Sequence, residues 1–164
     1  MTSQATEIQT HMDTIDYVNL GEFDSNEFMQ LLNKHKVREH LIEHPLFDEN
    51  TTKEWLHSKI KVDSSQGSKV RAIVINKKLA GWCGIQLEGD KHEIAIVLDD
   101  DYWGQGRNIY REIMSWAKEL GHKTIYIHLL YTRPKYKFLQ KISNDIYKSE
   151  RLGSKFTTYE LAVE

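Results

Sequence analysis

Between Leu98 and Asn108 the chain reads Leu-Asp-Asp-Asp-Tyr-Trp-Gly-Gln-Gly-Arg-Asn. This stretch joins a β-branched run to an amphipathic one. The first turn of a helix carries unpaired backbone N–H groups and a partial positive charge. Glycines let that backbone come close to a ligand and form a concave nest of donors. Such a nest suits a pyrophosphate. Spacing alone fits an ordinary tight strand-to-helix turn equally well. A dinucleotide fingerprint would need a third glycine, which is absent. Just upstream, Glu93 is the only acidic residue between His92 and Leu98. A carboxylate there has two readings, a general base or a surface glutamate beside His92.

Other chemistry-bearing residues lead nowhere comparable. Asp99, Asp100 and Asp101 offer hard oxygen ligands, but no further ligand spacing follows, and the expectation is a solvated turn. His40 and His44 stand at a zinc-compatible spacing without a third ligand, and Pro45 follows at once. Cys83 is the one cysteine; it sits in a strand-like run and reads as a small buried thiol. No metal is expected.

These residues need elements to position them. Residues 1–12 read as a flexible arm and 13–164 as one domain. Asp13 to Leu20 fits a first strand. Asp24 and Glu27 have capping-box spacing ahead of Phe28, Leu31 and Leu32, and a helical piece follows through Leu41 to Pro45. Thr51 and Glu54 open a second helix carrying Trp55, Leu56 and Ile60. Val70 to Ile75, Leu79 to Leu87 and His92 to Leu98 form an antiparallel meander around polar turns. Residues 104–108 enter a helix whose face holds Ile109, Ile113, Ala117 and Leu120, with Gly121 as its stop. Thr124 to Leu130 reads as a buried strand. Pro134 at a first helical position opens a short helix through Ile142. Ile146 to Leu152 and Phe156 to Val163 close the chain as a hairpin. The fold class is α/β, a mixed sheet with helices on its faces.

The chain has 164 residues, a formal net charge of -2, 40% hydrophobic and 28% charged residues. This composition fits one globular domain and lacks the basic excess of a general nucleic-acid binder. No apolar run approaches a membrane span, and residues 1–11 do not read as a secretory signal. A single cysteine suits a reducing compartment, so a cytoplasmic location is expected.

The stretch Trp103 to Asn108 resembles motif A of the GNAT superfamily of N-acyltransferases, Gln/Arg-x-x-Gly-x-Gly/Ala, with Gly106 as its central glycine. The string Tyr102-Trp103-Gly104-Gln105-Gly106 is similar to the branch of ribosomal-protein N-terminal acetyltransferases. The order of elements fits over most of residues 13–164. Trp103 replaces the first Gln/Arg and Asn108 the last Gly/Ala. A second family segment, Asn-x-x-Ala/Ser-x-x-Leu-Tyr-x-x-x-Gly-Phe, aligns with Thr132 to Asn144. There Thr132 stands for the asparagine, Leu139 for a tyrosine that is often catalytic, and Ser143-Asn144 for Gly-Phe.

The resemblance implies a GNAT-like fold and acetyl-CoA as cofactor. It implies acetyl transfer to a primary amine: a protein or peptide N-terminus first, a small amine such as a polyamine or aminoglycoside second. The cofactor's arm would enter a gap between splayed parallel strands and pair with the main chain of Ile96, Val97 and Leu98. Its phosphates would meet N–H groups of Trp103, Gly104, Gln105, Gly106, Arg107 and Asn108, with Arg107, Arg111 or Lys137 adding charge and Thr132 nearby. Glu93 would be the general base, with His128 the next candidate. Tyr136 is the nearest replacement for the missing tyrosine as acid to the leaving thiolate, or else packs against the cofactor. The acceptor would lie between residues 33–50 and Ser149 to Lys155. A homodimer is compatible. The non-enzymatic alternative is a degenerate acyl-CoA-binding module, kept open by Leu139 and Asn108.

Overall fold

The computed structural model describes residues 13–39 and 41–164. The expected N-terminal arm and His40 lie outside the described residues. Strand β1 (Ile15–Val18) leads to helices α1 (Ser25–Asn33), α2 (His35–Arg38) and α3 (Glu49–Asp63). The meander β2 (Lys69–Ile75), β3 (Lys78–Glu88) and β4 (Lys91–Leu98) follows. A 3₁₀ turn (Asp100–Gln105) runs into α4 (Gly106–Glu119), then β5 (Thr124–Leu130), α5 (Lys137–Ile142) and the hairpin β6 (Asp145–Arg151)–β7 (Ser154–Ala162). The seven strands of the described residues join one sheet in the order β1-β2-β3-β4-β5-β7-β6. Pairing is antiparallel except between β4 and β5. No helix among the described residues is long and apolar enough to cross a membrane.

The sheet is buried on both faces by separate apolar clusters. One holds Ile85, Ile94, Leu98, Ile109, Ile113, Trp116, Ile125, Ile127 and Leu139, which places α4 and α5 on that face. The other holds Phe28, Leu31, Leu32, Val37, Leu56, Trp82 and Val97, which places α1, α2 and α3 opposite. Strand side chains alternate faces, so each strand divides its residues between these layers.

Several elements begin differently from the sequence expectation. Helix α3 is capped by Asp48, whose carboxylate accepts from the Thr51 amide at 2.8 Å while Thr51 Oγ1 accepts from the Asp48 amide. Thr51 is therefore the third residue of the helix rather than its cap. At α1 the cap is Asp24 as expected, but its carboxylate takes the Asn26 amide. Pro134 does not open α5; Tyr136 is its N-cap, in extended backbone. On α4 the buried face is Ile109, Ile113, Trp116 and Ala117, while Leu120 is exposed. Gly121 does end that helix, with φ +85°. Strand β5 is not uniformly buried: Ile125 and Ile127 enter the α4 side, and Tyr126 and His128 face the other way.

Candidate active site

Every residue of β4 pairs with β3, yet a single register pair, Glu93 with Tyr126, joins β4 to β5. The two parallel strands touch at that point and diverge beyond it. The amide of Asp99 donates to Ala80 at 2.7 Å, which fixes the alternation along β4. Main-chain groups of odd-numbered residues point to β3, and those of Ile96 and Leu98 point into the gap. Val97 does not share this orientation: its main chain faces β3 and its side chain packs with α1 and α3. The Leu98 carbonyl is already taken by the indole N–H of Trp103 at 3.0 Å.

The glycine loop is more regular than a nest. Neither Gly104 nor Gly106 has positive φ; Gly106 lies at φ -54°, ψ -41°. The 3₁₀ turn continues into α4, and the Gly106 amide donates to the Trp103 carbonyl. The glycines' use here is space: a Cβ at either would meet nothing within 4 Å. Asn108 donates to Gln105 Oε1 at 2.9 Å, and Gln105 donates to Asp13 at 3.1 Å. The Arg107 guanidinium stands 4.7 Å over the Phe138 ring, tying the start of α4 to α5. Asp99 caps the turn through the Asp101 amide and holds the Lys34 ammonium at 2.7 Å, with Asp100 at 3.6 Å. The three aspartates thus serve a cap and an ion pair to the end of α1. Thr132 is exposed in the turn after β5.

The polar groups of the opposite face converge beneath the divergence. Glu93 keeps 15% of its side-chain exposure. Its Oε1 accepts from Gln86 Nε2 at 2.9 Å, and its Oε2 lies 3.8 Å from His128 Nε2. Burial, the largest influence, raises the Glu93 carboxyl above its ordinary range, against the Gln86 hydrogen bond, which lowers it. The His128 side chain is 3% exposed, and burial pushes its imidazole down to about 4, with Arg151 and Lys91 acting in the same direction. It is neutral at neutral pH. Its Nδ1 lies 2.8 Å from Thr158 Oγ1, which is 2.7 Å from Ser149 Oγ. Its Nε2 is buried and has no hydrogen-bond partner among the described residues. With the ring proton on Nδ1, donated to Thr158, His128 Nε2 and Glu93 Oε2 are two acceptors 3.8 Å apart that can both meet one amine or water at about 2.9 Å.

Sequence reasoning had named Glu93 and, as a substitute, His128; the register brings them together. It missed Gln86, which lies opposite Glu93 across the β3–β4 hairpin, and Thr158 and Ser149, which the strand order β5-β7-β6 brings to His128. Tyr136 stays apart from this group. It is 37% exposed, and its hydroxyl accepts from Arg133 Nη2 at 2.7 Å. Leu139, standing where the family tyrosine is expected, is buried in the α4-side core. Cys83 is fully buried, and burial raises its thiol far above the ordinary range. His44 packs its ring on Phe47 at 5.1 Å, and its proposed partner His40 lies outside the described residues.

The fold recurs in solved structures. An acetyltransferase of Salmonella typhimurium that modifies the N-terminal serine of a 50S ribosomal subunit protein aligns with a TM-score of 0.71 at 15% identity, over 94% of this chain and 97% of that one. Spermidine N-acetyltransferase from Vibrio cholerae, in complex with CoA and spermine, aligns at 0.67 and 16%, over 92% and 95%. An N-acetyltransferase from Staphylococcus aureus aligns at 0.67 and 13%, over 94% and 100%. No curated protein matches the chain by sequence. The profile of the acetyltransferase (GNAT) family matches residues 32–141, from α1 through α5. The chain belongs to that family.

Proposed function

We propose that this protein transfers the acetyl group of acetyl-CoA to a primary amine, with Glu93 as general base. The observation that carries the reading is a partly buried carboxylate at the point where β4 and β5 part, beside a neutral imidazole. The cofactor's arm would pair with the gap-facing main chain of Ile96 and with the Leu98 amide, the Leu98 carbonyl being held by Trp103, and its phosphates would occupy the open space around Gly104 and Gly106. An amine is mostly ammonium at neutral pH and has no lone pair for attack. Glu93 takes that proton; the nitrogen then forms a bond to the thioester carbon, the carbon–sulfur bond breaks, and the second proton shed by the nitrogen as the neutral amide forms passes through water to the group that protonates the thiolate. The departing thiolate needs a proton. Tyr136 keeps its own hydroxyl hydrogen while accepting from Arg133 and is the candidate donor.

A protein or peptide N-terminus is the favoured acceptor and a polyamine the second. Both classes occur among proteins of this fold. The second reading, an acyl-CoA-binding module without turnover, draws on the burial of Leu139 at the tyrosine position. One assay separates these readings: CoA release from acetyl-CoA with serine-initiated peptides, spermidine and an aminoglycoside. Release that depends on one of these amines supports the enzyme, with peptides expected to lead. Tight acetyl-CoA binding with no release across the panel overturns it in favour of the binding module.

A further inference from the structure

Glu93 does not stand alone on its face of the sheet. Directly opposite it in the β3–β4 register is Gln86. The Gln86 amide donates to Glu93 Oε1 at 2.9 Å and accepts from Lys59 Nζ, on α3, at 2.7 Å. A primary amide has one accepting and one donating end. An ammonium only donates and a carboxylate only accepts, so a single orientation of Gln86 satisfies both. Lys59 is itself held: its ammonium stands 4.6 Å over the Trp82 ring. Burial lowers the Lys59 ammonium, opposed by the charges of Glu93 and Glu88.

We propose that Lys59 and Gln86 form a positioning relay: Lys59 locks the amide of Gln86, which engages Glu93 Oε1 and leaves Oε2 as the atom that receives the acceptor's proton. The proposal rests on the reading of Glu93 as base. It adds that a helix on the acceptor-side layer controls that base without touching it. Oε2 faces the unpartnered His128 Nε2. One carboxylate oxygen is thus committed to structure and the other kept for chemistry.

The groups facing Glu93 are Lys59 from α3, Gln86 and Glu88 from β3, Lys91 on β4, Tyr126 and His128 from β5, and Arg151 from β6. Gln86, Arg151 and Lys59 favour its ionised form and Glu88 opposes it. Removing the relay therefore raises Glu93 further and moves the acidic limb of kcat/KM to higher pH. The test is a set of pH–rate profiles, with acetyl-CoA and one competent amine, for wild type, Gln86→Leu, Lys59→Met, Lys59→Arg and the double variant Gln86→Leu/Lys59→Met. Both single losses should shift the limb upward and lower activity at neutral pH about tenfold, the scale of a lost hydrogen bond to a charged group. Lys59→Arg should restore most of both. In the Gln86→Leu background, Lys59→Met should add little, because the relay is already broken.

Fully additive shifts would mean that Lys59 acts on Glu93 only through its charge, and would overturn the relay. A uniformly lower profile with an unmoved limb would do the same, as the mark of a structural role. Should Gln86→Leu fail to fold, Gln86→Ala takes its place in the same cycle, and equal profiles for Lys59→Met and Lys59→Arg would by themselves overturn the relay. Glu93→Gln is the control. If that variant keeps the wild-type profile, the reading of Glu93 as base has failed, which is a different result from an intact Glu93 effect without relay coupling.

Discussion

At the scale of single residues, type and spacing select candidates for the chemistry. Glu93 could be singled out because it is the one acid in an apolar strand, and Gly106 because it opens an amphipathic helix. The reason for the glycine differs from the one the sequence supports. A nest would demand left-handed backbone, whereas Gly106 is helical and bordered by open space. A larger side chain is accordingly compatible with the free protein and blocks only what fills that space. Gly106→Val should melt close to wild type yet lose the rise in melting temperature that acetyl-CoA gives wild type through binding to the folded state. Calorimetry showing equal acetyl-CoA affinity for the two proteins would remove the phosphate role from this loop. Gln86 and Lys59 were illegible for a plain reason: neither carries a motif, and they are 27 residues apart in the chain.

At the scale of elements, periodicity located the helices and the meander, and chemistry at the ends corrected them. Asp48 captures the Thr51 amide, so α3 begins before the expected Thr51 cap. Tyr136 caps α5 because the chain after Pro134 stays extended. What no periodicity could show is that β4 and β5 pair at one point only, since an apolar run looks the same whether its main chain is bonded or open. That opening makes a specific prediction for amide hydrogen exchange. The Ile96 amide points into the gap and should exchange faster than that of Ala95, which faces β3. Saturating acetyl-CoA should slow Ile96 strongly and leave Ala95 little changed. Equal protection of both residues without the cofactor, or no change at Ile96 on adding it, would contradict the splayed-strand site.

At the scale of the whole molecule, the sheet separates two tasks. One face, under α4 and α5, is an apolar core adjoining the glycine turn. The other, under α1, α2 and α3, carries Lys59, Gln86, Glu93, His128 and Thr158 in a connected polar row. Only strand alternation and sheet order assemble this row from four strands and a helix, so it lay beyond linear reading even though two of its members had been named. The Lys34–Asp99 pair ties the end of α1 to the turn that leads into α4. The central claim is that the carboxylate where the strands part removes the acceptor's proton. The most direct measurement is the pH dependence of turnover for wild type and Glu93→Gln with one competent amine. Because burial raises the Glu93 carboxyl, the wild-type profile should fall on its acidic side at a pH above the ordinary carboxylate range. The variant should lose about 10²–10⁴-fold at neutral pH, the usual size of general-base catalysis, and recover much of it at high pH, where the amine deprotonates unaided. Parallel profiles of similar height would contradict the account.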